Sequence, residues 1–136
     1  MKLNFTPEEV ASVVFDLGNI FNITINKAGN IKLRWKIPFM TSVYYFGEGE
    51  KYYTFYKKPE GIILRAMTKT ESGVRNSYPL NMKRTKTTVK GMYGDYTYQA
   101  YNINDSYFKD IESALEYFNN YIEKFHTNKV HQCEAV

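Results

Sequence analysis

The side chains best suited to metal binding or nucleophilic chemistry are gathered near the end of the chain. His126, His131 and Cys133 are the only two histidines and the only cysteine. Their types suit zinc, but the set lacks the fourth ligand and the rigid elements that structural zinc sites use. A Cys133–His131 nucleophile pair also lacks a third group to orient the base. The pattern favours a polar tail, and neither a metal site nor a cofactor is predicted.

Carboxylates form the second candidate set. Glu48 and Glu50 lie in a predicted turn, and Glu60 and Glu71 fall in other turns. Acid–base catalysis needs at least one carboxylate whose pKa is raised by an apolar pocket, whereas carboxylates in turns are normally solvated. A small hydrolase that uses Glu48, Glu50 or His126 is therefore the third hypothesis, and the expected function is not enzymatic.

Charge is distributed unevenly along the chain. Residues 32–90 carry 13 basic and 4 acidic side chains, whereas the remainder carries 5 basic and 10 acidic ones, so the net charge of +4 conceals a basic centre. The candidate residues for binding an anion or nucleic acid are the basic side chains Lys32, Arg34, Lys36, Arg65, Lys69, Lys83, Arg84, Lys86 and Lys90. The candidate aromatic contacts interleaved with them are Tyr44, Tyr52, Tyr56, Tyr96 and Tyr98.

A basic sheet surface with exposed rings suits single-stranded nucleic acid, because cations bind phosphates and aromatic planes stack on bases. It also suits a nucleotide, a nucleoprotein or an acidic protein. A simpler explanation stays open, since an exposed sheet face needs polar residues and strand lysines oppose aggregation. The leading hypothesis is a non-enzymatic binding protein that presents a basic, tyrosine-rich sheet surface to an anionic partner.

The alternative hypothesis is an inhibitor that acts by protein–protein contact or by ligand sequestration. The lysine-, asparagine- and tyrosine-rich composition is similar, at the level of class alone, to that of accessory proteins of phages and mobile elements, some of which inhibit bacterial defence complexes. The analogy rests on no residue-by-residue match. Such an inhibitor would dock through an apolar or tyrosine patch, and homo-oligomerisation is left open.

The composition is that of a soluble globular protein. No apolar run approaches the roughly 20 residues of a membrane-spanning helix, and acidic residues lie where a secretory signal would be apolar. The single cysteine allows no intrachain disulfide. We therefore expect a cytoplasmic location without membrane contact.

The elements that must position these residues are clearest at the two ends. Thr6, Pro7 and Glu9 match a helix N-cap, a first helical residue and a capping box, which predicts a helix over 7–17. A second helix, capped by Asp105 or Asp110, is predicted by apolar residues at helical spacing, namely Ile111, Ala114, Leu115, Phe118, Ile122 and Phe125.

Between the helices the apolar period changes from 3.6 to 2. Alternation over 21–26 and 31–37 predicts a β-hairpin around a turn at 27–30, with Trp35 in the core. Further strands are predicted over 42–46, 51–58, 62–69, 85–92 and 95–103. A turn is predicted at 47–50 and a long loop at 70–82.

The predicted fold class is α+β. It comprises an N-terminal helix, an antiparallel sheet of about six or seven strands and a C-terminal helix, packed as a two-layer sandwich. Residues 1–126 are expected to form a single domain, and residues 127–136 a frayed polar tail.

Overall fold

The computed structural model describes residues 2–43, 46–82, 84–101 and 106–134. Two helices, α1 (Pro7–Leu17) and α2 (Ile111–Glu134), enclose eight strands in the chain order. The strands are β1 (Phe21–Ile25), β2 (Ile31–Trp35), β3 (Met40–Val43), β4 (Gly47–Lys58), β5 (Gly61–Thr70), β6 (Gly73–Pro79), β7 (Arg84–Gly91) and β8 (Gly94–Tyr101). Their pairings are antiparallel. The predicted α+β fold is confirmed.

The strands form two sheets. The main sheet has the order β1-β2-β4-β5-β6, and β3 is added beside β4. Strand β4 is long enough for one of its edges to pair with β3 along Gly47–Glu50 and with β2 along Tyr52–Phe55. Strands β7 and β8 pair with each other as a two-stranded sheet, which we call the ribbon. In the described part of the chain, the predicted single run of strands is therefore divided in two.

Helix α1 begins as the sequence predicts. The backbone N–H of Glu9 donates to Thr6 Oγ1 at 3.2 Å, and the backbone N–H of Thr6 donates to Glu9 Oε1 at 2.8 Å. This reciprocal pair satisfies two of the backbone donors that a helix start leaves free. Glu9 Oε1 also accepts from Lys57 Nζ, so the start of α1 is tied to strand β4.

The core lies between the two helices and one face of the main sheet, which we call the helix-covered face. The ring of Phe118 on α2 lies 5.5 Å from that of Phe21 and 5.0 Å from that of Tyr53, between ring centroids. Trp35 is buried 4.4 Å from Phe21, which confirms its predicted core position. Burying an aromatic or large aliphatic side chain contributes roughly 1.5–3 kcal/mol, so these rings join the two layers.

Helix α2 is capped by Asp110, whose Oδ1 accepts from the backbone N–H of Ser113 at 2.9 Å. The other predicted cap, Asp105, lies outside the described residues. The helix continues to Glu134, so much of the segment predicted as a tail has a helical backbone. Side chains from 125 onward lie outside the described part, and the separation of 127–136 from a domain over 1–126 stays a prediction. The predicted apolar stripe is buried at Ile111, Ala114, Leu115, Phe118 and Ile122.

The predicted turn at 47–50 is wrong. These residues are the first four of β4 and pair with β3, and the backbone N–H of Phe46, which precedes them, donates to Val43 O at 2.9 Å. Gly49 is buried, and a Cβ placed on it would lie 2.6 Å from Thr68 Cγ2. Glycine at this position allows close packing between strands rather than a turn.

The predicted loop at 70–82 is also wrong, because it contains strand β6. Residues 74–77 of this strand are all exposed, so the segment shows no apolar alternation. The register between β5 and β6 also shifts at Thr68/Lys69, and such an irregularity breaks the period of two. An edge strand of this kind is recognisable from its partner rather than from its own sequence.

Candidate functional site

The second face of the main sheet lies opposite the core, and we call it the open face. Residues paired across antiparallel strands share a face, and Thr54 is paired with Lys32 on one side and Arg65 on the other. The same register and alternation place these residues of β2, β4 and β5 on the open face: Lys32, Arg34, Glu48, Glu50, Tyr52, Thr54, Tyr56, Lys58, Ile63, Arg65, Met67 and Lys69. Both described helices pack into the core on the other side.

Arg34 and Glu50 form an ion pair on the open face. Arg34 Nε donates to Glu50 Oε1, and its second terminal nitrogen donates to Oε2 at 3.1 Å. The hydrogen bond to Glu50, followed by the charge attraction, raises the pKa of the Arg34 guanidinium above its ordinary value. Glu50 is also the cross-strand partner of Lys69. Part of the positive charge predicted for this strand is therefore balanced within the protein.

Lys32 lies over a tyrosine. Its Nζ is 4.7 Å from the ring centroid of Tyr52, a distance at which a cation is attracted to an aromatic face. Tyr52 is 8% exposed, and burial is the main cause that raises the pKa of its hydroxyl. The ring of Tyr52 therefore supports Lys32 more than it offers a free surface for stacking.

Arg65 is held in place by the neighbouring edge strand. Its Nε donates to Ser77 Oγ at 2.9 Å, and a terminal nitrogen donates to Ser77 O at 2.9 Å. Lys69, further along β5, is exposed. Lys36 is also exposed and follows the last residue of β2, with its backbone N–H bonded to Ile20 O at 3.0 Å. A fixed guanidinium thus lies on the same sheet as two solvated ammonium groups.

Tyr56 lies along the open face. Its hydroxyl is 3.8 Å from Met67 Sδ, and the hydroxyl of Thr54 is 3.3 Å from the same sulfur. A ring that reaches Met67 from β4 extends across the sheet surface. Because Tyr56 is only half-buried, one side of this ring faces solvent.

A pocket of about 270 Å³ lies at the β4–β5 end of the open face. It is lined by Tyr56, Lys58, Ile63, Arg65 and Tyr107. Sequence analysis selects Tyr56 and Arg65 but misses Lys58 and Tyr107. Lys58 follows Tyr56 by two residues, so the strand period alone could have placed it on this face. Tyr107 lies between the two predicted caps of the second helix, Asp105 and Asp110, where the sequence places no binding residue.

The ribbon carries the remaining candidates. Tyr96 and Tyr98 are exposed, with ring centroids 6.4 Å apart. Lys90 is also exposed, but it is paired with Asp95 and so lies on the other face of the ribbon. The turn at its tip exposes 91% of Met92 and 100% of Tyr93. The side chains of Arg84 and Lys86 lie outside the described part, as do residues Lys83 and Tyr44. The basic and aromatic candidates are therefore divided between two sheets rather than gathered on one.

The carboxylate candidates come together at the other end of the open face. Glu48, Glu50 and Glu71 line a groove of about 540 Å³ together with Lys69. Among the described residues no three histidine, cysteine or acidic side chains are grouped so as to hold a metal ion. The side chains of His126, His131 and Cys133 are not among those described. The carboxylate of Glu50 is engaged by Arg34, so it is available chiefly as a counter-ion.

The open face therefore combines cations that can contact phosphates with a half-exposed ring and an aromatic-walled pocket. Within the described residues no helix is both long and apolar enough to cross a lipid bilayer. Comparisons of the chain with protein-family models, with curated proteins and with solved structures give no match.

Proposed function

We propose that this chain is a non-enzymatic binding protein that presents the open face of its main sheet to an anionic partner. Single-stranded nucleic acid is the partner class that best suits this chemistry. The observation that carries the proposal is the placement of Lys32, Arg65 and Lys69 with Tyr56 on one sheet face. Of the carboxylates at the far end of this face, Glu50 is engaged by Arg34, whereas Glu48 and Glu71 line the groove away from Lys32, Arg65 and Tyr56.

The cations follow a track across the strands. Lys32 and Arg65 are paired with the same residue, Thr54, from opposite sides. Neighbouring strands are about 4.8 Å apart, so the backbones of these two residues are roughly 10 Å apart across β4. Cations at this spacing on a rigid sheet can contact successive backbone phosphates, and the ring of Tyr56 beside them can stack on a base.

The test is strand binding by a variant that loses cations of this surface but keeps the pocket. We expect Lys32→Gln, Lys36→Gln and Lys69→Gln together to weaken binding of a labelled single strand of about 12 nucleotides at least tenfold at low salt. Each lost phosphate contact should lower the slope of log affinity against log salt by about 0.7. Fluorescence anisotropy over a series of salt concentrations measures both quantities.

The matched control removes the same charge elsewhere. Lys27, Lys109 and Lys124 are exposed and lie outside the open face, so their joint change to Gln should leave strand affinity nearly unchanged. Equal losses in both triple variants would show that net charge alone matters and would overturn the assignment to this face. No strand binding by the unaltered protein would overturn the proposal itself.

A second candidate function is inhibition of a protein complex by direct contact through the ribbon. The exposed tip at Met92 and Tyr93, followed by Tyr96 and Tyr98, favours it, because contact hot spots are rich in tyrosine. Binding of this kind would change little with salt and would be lost when Met92 and Tyr93 are both changed to Ser. If the Lys32, Lys36 and Lys69 variant lost binding instead, this second candidate would fall.

A further inference from the structure

The pocket at the β4–β5 end of the open face lies on two inner strands of the main sheet, β4 and β5. Tyr56 and Ile63 are cross-strand partners, so their side chains lie next to each other on this face. Lys58 and Arg65 each follow one of these residues by two positions and therefore point the same way. Ile63 is 2% exposed, and it forms an apolar floor beneath the two cations.

The fifth lining residue is supplied by the segment before α2. Phe108 forms an isolated bridge with Ile62, with backbone hydrogen bonds of 2.7 and 2.8 Å. Phe108 packs against the core, and Tyr107, the residue before it, lines the pocket. Tyr107 is half-buried and adds a second tyrosine to the lining.

Gly61 permits this arrangement. Its φ of +138° is one that other residues rarely adopt, and a Cβ on it would lie 2.5 Å from Phe108 O and 3.5 Å from Tyr107 Cβ. The segment that carries Tyr107 can therefore approach β5 only because residue 61 has no side chain. The local backbone is arranged so that Tyr107 borders the pocket.

The lining selects for a particular ligand chemistry. A lining that contains Ile63 and two tyrosines suits a flat heterocycle, whereas Lys58 and Arg65 suit a phosphate. None of the five lining residues is acidic. A volume of about 270 Å³ lies just below the 300–1,000 Å³ typical of drug-sized ligands, so the pocket has room for a single nucleotide unit.

We propose that this pocket is a subsite for one nucleotide, in which Tyr56 and Tyr107 hold the base and Arg65 and Lys58 bind the phosphate. The inference rests on the proposed function, because it assigns one unit of the anionic partner to a place on the open face. Arg65 suits this role since Ser77 fixes two of its nitrogens, and a fixed guanidinium loses less freedom when it binds. The unit is either a free mononucleotide or the terminal nucleotide of a strand.

The experiment is isothermal titration calorimetry of the full chain with adenosine and uridine 5′-monophosphates and with the two nucleosides. We expect both monophosphates to bind, since stacking tolerates any base, and the nucleosides to bind at least about tenfold more weakly. Arg65→Gln should weaken the monophosphates about tenfold and leave the nucleosides unchanged. Tyr107→Leu, which removes a ring at similar volume, should weaken all four ligands at least about fivefold.

Two further variants, both at exposed sites, distinguish a loss of binding from a loss of the fold. Lys58→Gln changes an exposed side chain at the end of β4, so it should selectively weaken the monophosphates without affecting the fold. Lys27→Gln removes an exposed cation outside both the pocket and the open face and should leave mononucleotide binding unchanged. If Lys27→Gln reduces mononucleotide affinity as much as Arg65→Gln does, the pocket is not the site.

Binding of oligonucleotides distinguishes a free nucleotide from a terminal one, and it tests the pocket proposal separately from the proposed function. A strand with a 5′-phosphate that binds about tenfold more tightly than its 5′-hydroxyl form, and that adenosine monophosphate displaces, supports a terminal nucleotide in the pocket. Mononucleotide binding that leaves strand binding undisturbed supports a free nucleotide. Strand binding with no mononucleotide binding and no effect of Arg65→Gln or Tyr107→Leu overturns the pocket alone. Mononucleotide binding without strand binding overturns the strand proposal alone.

Discussion

The two faces of the main sheet use neighbouring tyrosines in opposite ways. Tyr53, on the helix-covered face, is 1% exposed and lies 5.0 Å from the ring of Phe118, and burial raises the pKa of its hydroxyl far above the ordinary value. Tyr52, the preceding residue, lies beneath the ammonium group of Lys32 on the open face. Strand β4 thus packs against the core on one side and supports a cation of β2 on the other. We therefore expect substitutions on the first face to change stability and those on the second to change binding.

The largest difference in stability is expected between substitutions of Phe55 and of Tyr56, which are consecutive residues on opposite faces. Phe55 is fully buried and its ring centroid is 6.0 Å from that of Phe118. Phe55→Ala should lower the free energy of unfolding by about 3–5 kcal/mol, because it removes buried surface and leaves a cavity. Tyr56→Ala should cost clearly less. Urea unfolding of both variants measures the difference, and equal losses would contradict the division of roles between the faces.

A smaller difference in stability is expected between substitutions of Gly49 and of Glu48. Gly49→Ala places a methyl group 2.6 Å from Thr68 Cγ2 and 3.2 Å from Lys69 O, so it should cost about 1–3 kcal/mol through overpacking. Glu48→Ala changes an exposed neighbour and should stay within about 0.5 kcal/mol. Thermal unfolding compares them, and a Gly49→Ala variant as stable as the unaltered protein would show that the two strands can separate freely here.

The helices and the first hairpin are predictable because their signals are local. Thr6 and Glu9 mark the start of α1 by themselves, and the alternation of apolar residues up to Trp35 indicates which face is buried. The prediction at Gly49 fails because the sequence does not distinguish a glycine that allows close packing between strands from a glycine that a turn requires. Strand β6 escapes prediction because its pairing with β5, rather than its own pattern, makes it a strand.

The candidate site is predictable in part for the same reason. The period of two along each strand is enough to align Lys32 with Arg34, and Arg65 with Lys69. It cannot show that Glu50 binds Arg34, because that contact depends on the register between β2 and β4. Tyr107 reaches the pocket through a single bridge between Phe108 and Ile62, and nothing in the local sequence encodes such a bridge.

Removing the carboxylate of Glu50, the counter-ion of Arg34, tests whether the open face takes part in binding. Glu50→Gln releases Arg34 from its ion pair, so affinity for a single strand should rise about threefold to fivefold at low salt and less at high salt. Glu112→Gln, which makes the same charge change at an exposed site on α2, serves as the control in the same anisotropy assay. A loss of affinity in Glu50→Gln would indicate that Glu50 positions Arg34 for binding.

The smallest effect is expected from the ion pair between Glu9 and Lys57. Burial by itself raises the pKa of Glu9, but hydrogen bonds from Lys57 and Thr6 outweigh it, and the pKa is lowered from its ordinary value of 4.5. Because the folded-state pKa is the lower one, the stabilisation is fully present above about pH 4.5 and is lost as the pH falls through the folded-state pKa.

Glu9→Gln should therefore cost up to about 1 kcal/mol at neutral pH and progressively less in acid. Urea unfolding at pH 7 and at pH 3 checks this. A difference between the two proteins that does not shrink at low pH would assign the effect to an altered fit of the side chain rather than to the charge, since Gln can also complete a capping box.

The ribbon gives the chain a part that can change length independently. Strands β7 and β8 hydrogen-bond in register from Arg84↔Tyr101 to Gly91↔Gly94, and among the described pairings neither strand joins the main sheet. Adding or removing one cross-strand pair, that is, one residue on each side of the Met92–Tyr93 turn, preserves every other described register. The tip is therefore a natural point for grafting a peptide tag or a fluorescent label, and a region in which reach can be altered without refolding the rest.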